Sequence, residues 1–159
     1  MYQLLLSQYE IVKGARHALF TYCETMHDDD IFKKVVAFNN SSISDLLVHN
    51  ANTYISWVDN FGMDGACSFY TNDDVTSLND IKLIFDVIDM IVNNFLKKYN
   101  DDYLQPQTRH IARKGITFTL TPLQLFTHVI THEFHHKGQM LTMSRLLGYI
   151  PVDTDAIRT

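Results

Sequence analysis

Two histidines four residues apart, His132 and His136, sit inside the apolar stripe of one long helical segment, so both imidazoles look into the core. The segment opens with Thr121, Pro122 and Gln124. Threonine caps a helix, proline suits the first helical position, and glutamine three places on completes a capping box. It closes at Gly148, which fits the left-handed position beyond a helix end, and Pro151 prevents resumption. The spacing predicts one helix over Pro122 to Leu147. At about 100° per residue, Leu125, Val129, Met140, Met143 and Leu147 share one face, with His136 roughly 10° and His132 about 50° from its centre. His128 and His135 lie roughly 90° to 110° from that centre, at the margin.

An imidazole turned into a core needs polar partners, and each one left without them costs roughly 1 to 3 kcal/mol. Hydrogen-bonded neighbours are one solution, and a shared metal ion satisfies both rings at once. His128, His132 and His136 cannot form a three-ligand site alone, because eight residues of helix rise about 12 Å whereas metal to nitrogen bonds are about 2.1 Å. A third ligand has to come from another helix.

The rest of the chain reads as three more helices. From Tyr2 to about Met26, Leu5, Tyr9, Val12, Phe20 and Cys23 recur at helical spacings. Asp28, Asp29 and Asp30 then break the pattern and read as a solvated turn, and Phe32 to Ala37 fits a helical turn or a short strand equally. Ser42 with Asp45 marks a second start, followed by the apolar face Ile43, Leu46, Tyr54, Trp57 and Phe61. His49 heads a polar strip of Asn52, Thr53 and Ser56 at the edge of that face, which reads either as a solvated face or as the wall of a pocket beside a metal. Phe61 to Thr76, with Gly62 and Gly65, reads as a long loop. Ser77 with Asp80 opens a third helix carrying Ile81, Phe85, Ile88, Val92, Phe95 and Leu96, ending near Asn100 behind Lys97 and Lys98. Tyr103 to Leu120 is a crossover in which Ile116, Phe118 and Leu120 alternate with threonines, as in an extended piece. Four long helices predict an all-α four-helix bundle, up-down-down-up or related, with a long crossover before the last helix. Bundles build metal sites from facing helices.

A chain of 159 residues fits a single domain spanning 1–159. With 13 Lys and Arg against 18 Asp and Glu, a net charge of -5 offers no basic face to nucleic acid. No apolar run reaches the roughly 20 residues of a membrane span, and the polar N-terminal stretch does not read as a signal peptide, so the expected location is cytoplasmic. Cys23 and Cys67 are too few for a disulfide framework and read as reduced thiols.

His132-Glu133-Phe134-His135-His136 also matches H-E-x-x-H, in which two histidines hold zinc and the glutamate acts as base. A zinc peptidase further wants a downstream ligand and a sheet edge, and after His136 there is no histidine and no acidic residue before Asp153.

Taken whole, the chain resembles the DinB and YfiT-like four-helix bundle metalloproteins. The resemblance runs over essentially the full length and rests on one histidine in the second helix and on HEFHHKGQ, followed by LLGY, in the last. It implies a divalent ion such as zinc or nickel held by His49, His132 and His136, with His17 on the first helix as a conceivable substitute for His49. It further implies an enzyme acting on a small molecule, a thiol S-transferase using a low-molecular-weight thiol or a hydrolase. The other reading is a non-catalytic metal-binding stress-response protein with the same bundle. Glu133 is then the candidate acid/base, although helix geometry alone also allows a surface position, and Gln139 is a candidate hydrogen-bonding partner for a ligand. A second apolar stripe, Leu123, Ile130, Phe134 and Leu141, lies about 130° from the first on the last helix. It is expected to pack under the crossover or against a partner, and a homodimer would suit it.

Overall fold

Each helix start that the sequence marks is closed by a reciprocal cap. In the computed structural model, which describes residues 1–27, 29–111 and 115–158, Ser42, Ser77 and Thr121 each accept from the backbone three residues on. Asp45, Asp80 and Gln124 reach back in return. The helices that follow are α2 (Ile43–Tyr54), α3 (Leu78–Tyr99) and α4 (Pro122–Leu146), preceded by α1 (Tyr2–Cys23). Their predicted apolar faces are the core: Leu5, Tyr9 and Val12 of α1, and Ile81, Phe85, Ile88, Val92, Phe95 and Leu96 of α3, are all buried.

Packing pairs α1 with α3 and α4, and α2 with the same two helices, so the ring order is α1, α3, α2, α4. The connections after α1 and after α3 therefore link helices at opposite corners of the ring and have to cross it. The first contains single 3-10 turns at Asp30–Phe32 and Val36–Phe38 and a bridge between Val35 and Ser41, so the segment that fitted turn or strand contains both. Asp28 in the acidic turn lies outside the described residues. The second connection is an antiparallel hairpin, β1 (Gln107–Ile111) with β2 (Ile116–Leu120), in register from Gln107 opposite Leu120 to Ile111 opposite Ile116. Among the described residues no helix is long and apolar enough to cross a membrane.

Two features depart from the sequence reading. The segment after α2 does not become a loop at Phe61; Ile55–Met63 continues as a π-helix, whose wider turn rotates successive side chains differently from an α-helix. Gly62 makes that possible, because a Cβ there would sit 2.6 Å from the Phe95 ring of α3.

The second departure concerns α4. Its two apolar stripes are the flanks of one broad buried arc, and the residues midway between them include Phe126, Glu133, Lys137 and Ser144, all buried. Each polar member of that middle line has a partner: Glu133 pairs with Arg16 of α1, Lys137 donates to the Thr154 carbonyl, and Tyr22 of α1 donates to Ser144 at 2.9 Å. Leu123, Phe134 and Leu141 pack against the chain's own core. Of the second stripe, Ile130 is buried and the other three residues are half-buried.

Candidate metal centre

Residue 49 lies in the second turn of α2, and residues 132 and 136 lie one turn apart on α4, which packs against it. The structure brings the three rings together. Their centroids are 5.0 Å apart for His49 and His132, 4.8 Å for His49 and His136, and 4.4 Å for His132 and His136. One ring nitrogen from each lies within 4.8 Å of the other two, so the three can hold a metal ion. His17 is exposed on α1 and lines a different pocket, with Lys13, Phe20 and Asp86, so the choice left open by the sequence falls to His49.

The donor set fits a divalent ion on two observations. His132 Nδ1 is buried and has no hydrogen-bond partner, an orphan that coordination through that nitrogen would satisfy. His136 donates Nδ1–H to Gln139 Oε1 at 2.6 Å, which fixes its tautomer and leaves Nε2 as the free lone pair. Gln139 also contacts His135 Nε2 at 3.3 Å, so the amide is held from both sides. Burial lowers the pKa of His49 and His136, and pushes His132 down to about 4 with help from the neighbouring imidazoles, His136 first. All three are therefore neutral at pH 7, the state in which imidazole coordinates.

Replacing Gln139 with Ala should weaken zinc binding by roughly 10-fold to 100-fold, the range for a residue that orients a ligand, read by competition with a chelating dye. An unchanged affinity would show that the Gln139 contact does not orient His136. His128 and His135 are both exposed and stand outside the three-ring cluster, although His128 touches the ring of His132 at 5.5 Å. Substituting either with Gln should leave affinity within about threefold, roughly 0.7 kcal/mol. A hundredfold loss would place that histidine among the ligands.

The histidines open on a cleft of about 540 Å³ lined by His49, Asn52, Thr53, Ser56, Trp57 and Phe69, among others. The polar strip of α2 does line a pocket beside the centre. Asn52 also shapes it from behind: its side chain donates to the Tyr70 carbonyl at 2.7 Å and accepts from the Tyr70 amide at 2.9 Å, pinning the loop that carries Phe69. Trp57 was legible only as part of an apolar face. The π-helical turn brings it to the cleft wall, 5.4 Å from the His128 ring and 5.5 Å from Phe118.

Glu133 is placed differently from either position the sequence allowed. It is buried, and Arg16 Nε and Nη2 donate to its two carboxylate oxygens at 2.8 and 3.0 Å. Tyr54 donates to Oε2 at 2.6 Å. Arg16 also donates Nη1–H to Asp89 at 2.7 Å, and Tyr9 donates to the same carboxylate oxygen at 2.6 Å. Burial, and Glu133 after it, drives the Tyr54 phenol well above its ordinary pKa, so it stays a donor. The arrangement occupies the carboxylate that the H-E-x-x-H reading needs free for water. The third histidine of the cluster also lies upstream on α2, not downstream of the pair as a zinc peptidase wants. Cys23 and Cys67 are free; burial pushes the Cys23 thiol up to about 12, consistent with an inert core residue.

Helices that hold three neutral imidazoles over an open cleft define a class, the four-helix-bundle proteins with a three-histidine site able to take a metal ion. The chain belongs to the DinB family, whose family model matches residues 1–159. No curated protein matches it.

Proposed function

We propose that the protein is a metal-dependent enzyme acting on a small molecule, either transferring a low-molecular-weight thiol to it or hydrolysing it, with zinc or nickel held by His49, His132 and His136. The observation that carries this reading is the cleft: His49 and His132 line its wall, and His136, its ring 4.4 Å from that of His132, is half-buried instead of sealed in the core. Three protein ligands leave a coordination position for water or substrate, the pattern of catalytic rather than structural sites. A bound divalent ion supplies Lewis acidity, which makes a nucleophile of water or a thiol at neutral pH.

The chain's own residues do the rest. Gln139 holds His136 in one tautomer, Trp57 and Phe69 wall the cleft, and Ser56 and Thr53 offer hydroxyls along it. Glu133, with both oxygens taken, supports the helix that carries His132 and His136 instead of exchanging a proton with substrate.

The test is turnover by zinc- or nickel-loaded protein of 1-chloro-2,4-dinitrobenzene with cysteine or another small thiol, and of p-nitrophenyl acetate without thiol. Thiol-dependent consumption that disappears in His136→Ala supports the transferase branch, and thiol-independent hydrolysis supports the other. Full metal loading with no turnover of either would favour the non-catalytic metal-binding protein.

A further inference from the structure

The cleft beside the histidines does not end at Ser56 and Phe69. Both residues also line an adjoining pocket of about 580 Å³, whose other walls include Asn60 of the π-helical segment and Arg109 of β1. A groove therefore runs from the candidate metal centre to a guanidinium on the hairpin. None of the chemistry assigned to the histidines uses its far end.

Two buried polar atoms there lack partners, and their needs are opposite. Arg109 gives Nη1–H to Asp64, while its Nε–H is buried without an acceptor. Asn60 donates from Nδ2 to the Cys67 carbonyl at 3.3 Å, which orients the amide and leaves Oδ1 buried without a donor. The Asp64 carboxylate is 77% exposed, and exposed ion pairs are weak, so Asp64 orients the guanidinium without saturating it. A guanidinium with a free N–H edge suits a planar carboxylate. Asn60 Oδ1 adds a second demand that a phosphomonoester dianion, carrying acceptors only, cannot meet. A carboxylate with an N–H or O–H on the adjacent carbon meets both.

We propose that this pocket is a substrate subsite for an α-amido or α-hydroxy carboxylate, read by Arg109 and Asn60, while the reacting end of the same molecule lies at the histidines. This rests on the reading of those histidines as a reaction centre. The substrate class is then an elongated small molecule with an amino-acid-like carboxylate terminus. Its middle crosses the neck at Ser56 and Phe69.

Two experiments separate the subsite from the reaction centre. In the first, N-acetylglycine, N-methylacetamide and methyl phosphate, the last at a pH that keeps it dianionic, are titrated into metal-free protein. Affinity is followed by the emission of Trp57, the chain's 1 tryptophan, and contact by the Arg109 Nε–H resonance. N-acetylglycine should bind at least tenfold tighter than either comparison compound. Arg109→Gln should erase the preference, Arg109→Lys should keep part of it, and Asn60→Ala should lower it about threefold. Methyl phosphate binding as tightly as N-acetylglycine, or a preference that survives Arg109→Gln, would overturn the subsite.

In the second, mercaptoacylglycines of increasing chain length and their N-methylamide counterparts are added to cobalt-loaded protein, and the cobalt absorption bands are followed. At one length the carboxylate should improve affinity at least tenfold, and Arg109→Gln should remove that gain with cobalt content unchanged. Equal affinity of acid and amide at every length would overturn the link between the two ends. If no thiol perturbs the cobalt spectrum, the thiol reading of the centre fails, and the N-acetylglycine experiment alone decides the subsite.

Discussion

Metal binding should vanish from the double variant His132→Ala, His136→Ala. The wild-type protein is expected to carry about one divalent ion per chain by elemental analysis, with three protein ligands. Loss of two imidazoles should lower affinity by well over 100-fold, beyond the range seen for residues that only orient ligands. A second readout does not depend on residual metal. Saturating zinc stabilises a protein by about 4 kcal/mol when present at 1,000 times its Kd, so wild-type protein should melt higher with zinc than with chelator. That difference should disappear in the double variant and in His49→Ala. Full metal content in the double variant would move the site elsewhere.

Glu133→Gln should destabilise the fold while sparing the metal site. Arg16 and Glu133 are both almost wholly buried, with side-chain exposures of 4% and 8%, and removing one partner of a buried ion pair typically costs about 3 to 5 kcal/mol. Asp89 still accepts from Arg16 Nη1, which places the expected loss near the lower end, about 3 kcal/mol. Arg16→Met should cost more, because it strands Glu133 with only the Tyr54 hydroxyl. The double variant should fall short of the sum of the two, since each single change already removes the shared contact. Urea denaturation of chelated protein measures all three. An acid/base role for Glu133 makes the opposite prediction: Glu133→Gln would fold with wild-type stability, bind metal and lose turnover. That result would reinstate the carboxylate as a reacting group.

The contrast between these two sites shows where sequence reading stopped. Ser42, Ser77 and Thr121 announced three helix starts because a capping box is local, spanning four residues. His132 and His136 were legible for the same reason, as neighbours on one turn of helix. The third ligand came from the family pattern, which the three-ring cluster matches, whereas the helix that carries it was marked by its own cap at Ser42. Glu133 was not legible, because its partner Arg16 stands 117 residues earlier and a single helix wheel contains no sign of it. The wheel also divided the α4 arc in two, because its middle line is polar. Strand β1 escaped notice because QTRHI offers one large aliphatic side chain, Ile111, whereas the alternation of β2 was visible in Ile116, Phe118 and Leu120. The π-helical turn had no local marker beyond Gly62, whose need is set by Phe95 on another helix.

The middle line of α4 has a consequence for how such a protein can change over time. Glu133, Lys137 and Ser144 are each tied to a different distant segment, so a rotation or slip of α4 would strand three polar groups at once. These ties fix the helix without help from the histidines, which occupy one flank of the arc. Mutational drift at His49, His132 or His136 therefore gives up what bound metal adds to stability but leaves α4 anchored by its own ties. Descendants of such a chain are free to exchange one metal for another, or to give up metal altogether, while inheriting the same bundle.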